Sequence, residues 1–97
     1  KPLPLWVSAT NWGELPKSYY QKYYFTATPG TTVTVNVAAL SGNPDLYVSS
    51  SSDVSPTSSQ LRSVKSGSDK LTFRVTSKVT YLAVHAKTAA SWEVSLR

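Results

Sequence analysis

Apolar and polar residues alternate along three stretches of the chain, a pattern typical of β-strands with one buried face. The stretches are residues 31–40, 70–76 and 91–97. Their apolar members are Val33, Val35, Val37, Leu71, Phe73, Val75, Trp92, Val94 and Leu96. Because successive side chains of a strand point to opposite sides of a sheet, these residues are predicted to face a core. The polar residues between them are predicted to face water.

Other stretches predict further strands. Residues 79–86 are apolar at almost every position, which is typical of a central strand covered on both sides. Residues 45–49 predict a short strand, and residues 5–9 and 60–65 predict edge strands. In residues 19–27 the predicted inward side chains are Tyr23, Phe25 and Ala27, and the outward ones are Tyr20, Lys22 and Tyr24.

Turn-forming residues separate these stretches, and no helical period occurs. The sequence therefore predicts an all-β protein, an antiparallel β-sandwich of about seven or eight short strands. We expect residues 1–97 to form a single domain, with residues 1–17 as an N-terminal edge strand or linker because prolines recur there. Residues 49–59 are nearly all Ser, Thr, Pro and Asp, so they are predicted to be a solvated loop.

Composition narrows the class of protein. The chain has no Cys, which excludes disulfides and sulfur-ligated zinc, and no Met, so we expect a fragment of a larger secreted protein. No apolar run approaches the roughly 20 residues of a membrane span. Ten Lys and Arg against five Asp and Glu give a net charge of +5 without a basic arm, so no nucleic-acid partner is expected. We expect a monomer.

The side chains that catalysis requires are few. His85 is the only histidine, lies within an apolar stretch, and is interpreted as structural. No nucleophile-elbow motif occurs, and no two of the five acidic residues lie within four positions of each other. The sequence therefore predicts no catalytic residues, and the protein is not expected to be an enzyme.

A bound metal is a separate question, raised by the stretch "GNPDLYVSSSS" at residues 42–52. Asn43, Asp45 and Asp53 carry oxygen donors of the kind that calcium binds, and they are the candidate ligands. The alternative is that Asp45 accepts hydrogen bonds from a turn and shapes the entry into a strand. No cofactor is expected, and calcium stays open as the one candidate ion.

Several blocks resemble the bacterial pre-peptidase C-terminal domain family. They are "YYFTATPGTTVTVNVAALSGNPDLYVS" (23–49), "GSDKLTFRV" (67–75), "TYLAVHA" (80–86) and "SWEVSL" (91–96). The matching positions are Tyr23, Phe25, Gly30, Val33, Val35, Gly42, Asp45, Leu46, Tyr47, Val48, Tyr81 and Val84. Asn43 departs from the family, which has Asp there. The long Ser/Thr loop is similar to that of extracellular eukaryotic and protist relatives.

The resemblance implies a jelly-roll-like sandwich appended to a secreted peptidase or other hydrolase, whose catalytic domain would be a partner. Members are non-catalytic. Some resemble collagen-binding or polysaccharide-binding modules, and others are removed during maturation. Two functions stay open: a module that binds an insoluble polysaccharide or fibrous protein, and a ligand-free module that spaces or stabilises its neighbour.

Surface aromatics are the best clue to binding, because eleven aromatic residues are too many for a core of this size. The candidate ligand-binding residues are Trp12, Tyr20, Lys22, Tyr24 and Tyr47. Trp12 is placed beside Gly13 in a turn-like stretch. Tyr20, Lys22 and Tyr24 are predicted to form an outer strip, and Lys70 and Arg74 would form a second strip if their strand pairs nearby. The alternative is that the rings lean over neighbouring strands.

Overall fold

The computed structural model describes residues 3–4, 10–64 and 66–97, which form nine β-strands. The strands are β1 Leu3–Pro4, β2 Thr10–Leu15, β3 Tyr20–Thr26, β4 Thr32–Ser41, β5 Pro44–Ser49, β6 Leu61–Ser63, β7 Asp69–Arg74, β8 Val79–Ala86 and β9 Ala90–Leu96. The edge strand predicted at residues 5–9 lies outside the described residues. Within them there is no helix, and therefore none long and apolar enough to cross a bilayer.

The strands form two packed sheets. The five-stranded sheet has the order β1-β3-β8-β5-β6, and the four-stranded sheet has the order β2-β9-β4-β7. Strands β2 to β9 follow the strand order of a jelly roll, which confirms the predicted sandwich. All pairs are antiparallel except β1 with β3, which run parallel. The count exceeds the predicted seven or eight strands by one, because the two-residue β1 adds to the eight strands of the jelly roll.

The core lies between the sheets and contains most of the residues that the alternation predicted, while Ala27, Leu71 and Phe73 are only partly buried against it. Val35, Val37 and Val94 are fully buried in the four-stranded sheet, opposite Leu82 of the other sheet. Near one edge, Trp92 Nε1 donates a hydrogen bond of 3.2 Å to Tyr23 Oη. This bond satisfies both polar groups inside an apolar core, where an unpaired donor costs free energy.

Residues 10–15 form a strand, so the turn-like interpretation of this stretch is wrong. Strand β2 pairs with β9 along its whole length, with Gly13 opposite Trp92 and Trp12 opposite Glu93. A Cβ atom on Gly13 would lie 2.6 Å from the Trp92 ring. Glycine is therefore needed here for close approach of the backbone, and the alternation turns Trp12 outward.

Residues 50–60 form a covering loop across the outer side of the five-stranded sheet, which corrects the prediction of a purely solvated loop. Val54 is fully buried there and packs with Tyr47 and Ala83, while Tyr81 contributes from the rim. This contact explains why β8 is apolar on both faces. Lys22 Nζ donates a 2.7 Å hydrogen bond to the carbonyl of Ser52, which holds the loop from the side of β3.

Candidate binding surface

The five predicted ligand-binding residues do not come together. Trp12 lies on the outer side of the four-stranded sheet, whereas Tyr20, Lys22 and Tyr24 lie on the outer side of the five-stranded sheet. Tyr47 is 7 % exposed and sits under the covering loop, so the expectation that its ring reaches the surface is wrong. The two groups are separated by the thickness of the sandwich.

The strip along β3 is interrupted by its neighbours. Lys22 is engaged by the carbonyl of Ser52 in the covering loop. Tyr24 packs against Tyr81 on the adjacent strand, with ring centroids 6.4 Å apart and an angle of 43° between the ring planes. Tyr20 remains 42 % exposed. The alternative interpretation, that rings lean over neighbouring strands, describes Tyr24 better than a free binding position does.

Lys70 and Arg74 lie on β7, at the edge of the four-stranded sheet. They share a side of the sandwich with Trp12 and are on the opposite side from the β3 strip. The condition for a second strip beside it, that their strand pairs nearby, is therefore not met. The sequence shows the alternation of β7 but does not show which sheet the strand joins.

The outer side of the four-stranded sheet is here called the Trp12 face. Cross-strand neighbours run over it in rows, from Trp12 to Glu93 to Ala38, and from Ser95 to Asn36 to Lys70. Its members are Trp12, Glu14, Thr32, Thr34, Asn36, Ala38, Lys70, Thr72, Arg74, Ser91, Glu93 and Ser95. All are exposed or half-buried, so no described segment covers this face.

The Trp12 face combines one large ring with short polar groups. The indole of Trp12 is 62 % exposed at the β2 edge, and the cations of Lys70 and Arg74 lie at the β7 edge. Between them the side chains are small, and the hydroxyls of Thr34 and Thr72 lie 3.0 Å apart in a hydrogen bond. Such a surface offers a flat stacking area and neighbouring hydrogen-bonding groups to an extended ligand.

The candidate calcium ligands are also separated. Asp45 is 2 % exposed at the start of β5, whereas Asp53 is exposed in the covering loop. Burial raises the pKa of the Asp45 carboxyl, and the nearby Asp69 raises it further, while Lys87 and His85 act in the opposite direction. Among the described residues no group of three or more His, Asp and Glu side chains is placed to hold a metal ion.

The sequence indicated that the Trp12 ring could reach the surface, which its exposure confirms, but not which residues surround it. The signal was present in the outward positions of residues 31–40, 70–76 and 91–97, which are mainly Ser, Thr, Asn, Lys and Glu. Only the pairing of β2, β4, β7 and β9 in one sheet shows that these positions form a single surface. The covering loop was missed because Val54 is the one apolar residue in a polar stretch.

Several solved structures share this fold. Among solved structures, the pre-peptidase C-terminal domain of a collagenase from Bacillus anthracis is similar, with a TM-score of 0.80 at 14% identity, covering 100% of this chain and 95% of that one. PliG of Aeromonas hydrophila, a periplasmic inhibitor of g-type lysozyme, has a TM-score of 0.71 at 18% identity, covering 99% and 96%. PliG of Salmonella Typhimurium, also a periplasmic inhibitor of g-type lysozyme, has a TM-score of 0.58 at 18% identity, and the match covers 100% of this chain and 99% of that one.

At these identities the likeness concerns the fold alone. No curated protein sequence matches the chain. The model of the bacterial pre-peptidase C-terminal domain family, however, matches residues 19–86, more than two thirds of the length. This match agrees with the resemblance that the sequence blocks showed. The chain belongs to the bacterial pre-peptidase C-terminal domain family.

Proposed function

We propose that this domain is a non-catalytic accessory module that holds its parent protein on an insoluble polysaccharide through the Trp12 face. The observation that carries the proposal is the 62 % exposure of the Trp12 ring at the edge of a sheet whose outer side no described segment covers. A large exposed ring has a free-energy cost in water that a ligand can remove. On the opposite side of the sandwich, the covering loop occupies the corresponding surface.

The chemistry of the face favours a sugar polymer. The apolar side of a pyranose ring stacks on an indole, and sugar hydroxyls exchange hydrogen bonds with hydroxyl, amide and carboxylate groups. Glu93 lies directly beside Trp12, and Ser95 and Asn36 occupy the next row. An open sheet surface suits an extended chain or a polymer better than it suits a small molecule, which needs a concave pocket.

The similar structures support a location outside the cytoplasm and a parent hydrolase. One similar structure is a domain of a collagenase, and two are periplasmic proteins. They are consistent with a place outside the cytoplasm and with a parent hydrolase. A fibrous protein such as collagen is the competing polymer, because a planar ring also packs against proline.

The test is retention of the whole chain on insoluble cellulose, chitin and collagen fibres. Trp12→Ala should reduce retention on a polysaccharide by roughly 5- to 30-fold, which corresponds to about 1–2 kcal/mol of lost stacking. Tyr19→Ala is the matched control, because Tyr19 is also 62 % exposed but lies outside the Trp12 face. It should leave retention unchanged.

Each outcome separates the alternatives. If the wild type is retained on collagen alone and Trp12→Ala is not, the Trp12 face is the binding site but its ligand is a fibrous protein and not a polysaccharide. Equal retention of wild type and both variants would contradict the role of Trp12. No retention on any polymer would favour the ligand-free module, which predicts instead that deleting the domain lowers the stability of the parent protein.

A further inference from the structure

Three buried atoms without hydrogen-bond partners lie at one end of the five-stranded sheet. They are Asn43 Oδ1, Asp45 Oδ1 and His85 Nδ1. Native proteins pair nearly all buried polar atoms, so each exception calls for a group that is bound there or for a functional reason. These three lie where β5 begins and β8 ends.

The strand register places the three side chains on the same side of the sheet. Asp45 and His85 are directly opposite each other on β5 and β8. Side chains in such a pair have Cβ atoms about 4.5–5.5 Å apart. Asn43 precedes Asp45 by two positions, and its carbonyl accepts a 3.2 Å hydrogen bond from the Lys87 amide, which extends the ladder by one step. Alternation therefore brings the Asn43 side chain to the side of Asp45.

The Asp45 carboxylate lacks what a buried charge needs. The residue is 2 % exposed, and an ionised carboxylate at such a site loses its hydration. The nearby carboxylate of Asp69 has a donor of its own, because Ser63 Oγ donates to Asp69 Oδ1 at 2.8 Å.

The unsatisfied atoms form a donor set for a cation. A carboxylate oxygen, an amide oxygen and a neutral imidazole nitrogen each offer an electron pair. Calcium prefers six to eight oxygen ligands, whereas a set that includes imidazole suits zinc and its neighbours in the transition series. We infer that Asn43, Asp45 and His85 bind a divalent ion of the Zn²⁺ class, with water completing the coordination.

This site replaces the calcium set suggested by the sequence. His85 takes the place of Asp53, which is exposed in the covering loop. A bound ion joins β5 to β8 and to the turn after β4, so its binding free energy adds to the stability of the folded state. The role is structural and independent of the Trp12 face.

The test is thermal unfolding of the whole chain, first freed of metal with a chelator and then titrated with Zn²⁺. Zn²⁺ at a hundredfold excess over its dissociation constant should raise the midpoint by at least about 5 °C. Asp45→Asn and His85→Gln should abolish this shift, and Asp53→Asn should keep it. Without metal, Asp45→Asn should be at least as stable as the wild type, because it removes a buried charge. Loss of the Zn²⁺-induced rise in midpoint in this variant therefore cannot be explained by a failure to fold.

Co²⁺ gives a second readout, since a bound ion produces visible absorption bands that His85→Gln should remove. Three results would overturn the inference. One is the absence of a Zn²⁺ shift in the wild type, which would leave an ordered water as the partner of these atoms. Another is a Zn²⁺ shift of equal size in Asp45→Asn. The third is stabilisation by Ca²⁺ that is the same in His85→Gln, which would indicate an oxygen-only site.

Discussion

Gly13 lies directly against the indole of Trp92, so close that a Cβ atom would be 2.6 Å from ring atoms Cε2 and Cζ2. This contact brings the backbone of strand β2 directly onto a buried side chain of the core. Because side chains alternate along the strand, the residue before Gly13 faces outward, and that residue is Trp12. The largest exposed ring of the Trp12 face is thus positioned by the largest buried ring of the core.

Gly13→Ala should destabilise the domain by roughly 1–3 kcal/mol, because the added methyl group overlaps a ring that is packed on all sides. Chemical denaturation measures the change. Glu14→Ala, on the exposed side of the same strand, is the control and should change stability by less than about 0.5 kcal/mol. Similar values for the two variants would show that β2 does not pack on Trp92 as described.

Val54→Ala tests the covering loop. Val54 is fully buried between the loop and β8, so its truncation should cost roughly 1–3 kcal/mol of unfolding free energy. Val64→Ala makes the same chemical change at a residue that is 44 % exposed, and its cost should be below about 0.5 kcal/mol. If both variants unfold at the same denaturant concentration, residues 50–60 do not cover the sheet.

Tyr23 should make stability sensitive to alkaline pH. Burial raises the pKa of its phenol above the usual value of 10, and the hydrogen bond from Trp92 opposes this only in part. The unfolded chain then loses its proton at a lower pH than the folded chain. The stabilisation is fully present below pH 10 and is lost as the pH rises through the folded pKa.

Tyr23→Phe isolates this effect from the other tyrosines. At pH 7 it should cost roughly 1–3 kcal/mol, because Trp92 Nε1 loses its buried acceptor. Between pH 9 and 11 its stability should fall less steeply than that of the wild type. Parallel pH profiles for the two proteins would contradict the buried position of the phenol.

Tyr24→Ala separates folding from binding. Tyr24 packs on Tyr81, so its truncation should lower the free energy of unfolding by at least the roughly 0.5–1.5 kcal/mol of an aromatic pair. Retention on a polymer should not change, because Tyr24 lies on the opposite side from the Trp12 face. Tyr20→Ala is the control for a more exposed tyrosine on the same strand. If Tyr24→Ala loses retention while its stability is unchanged, the binding site is the strip of Tyr20, Lys22 and Tyr24 on β3 and not the Trp12 face.

Most of the fold could be predicted from alternation alone. Strands β4 and β9 carry a regular apolar period, and the buried valines, Trp92 and Leu96 are those the pattern indicates, whereas in β7 Leu71 and Phe73 are only half-buried. Strand β2 could not be found in this way, because its inward positions are Asn11, Gly13 and Leu15, of which only the last is a large apolar residue. Its position depends on Trp92, a contact 79 residues distant that no local pattern contains.

The candidate binding surface was harder to predict because alternation says which residues face outward but not which outer side they share. Trp12, Tyr20 and Tyr24 all face outward, yet β2 and β3 belong to different sheets. The sequence of β8 indicated a cover on both faces but not its source. That cover depends on one valine in a polar loop, whose burial is a tertiary effect.

The most direct test of the Trp12 face is amide chemical-shift mapping with a soluble oligosaccharide of the retained polymer. Perturbed amides should cluster on β2, β9, β4 and β7, with the largest shifts near Trp12, Glu93 and Asn36, and the perturbations should vanish in Trp12→Ala. Perturbations confined to residues 50–60 and to β3 would contradict binding at the Trp12 face.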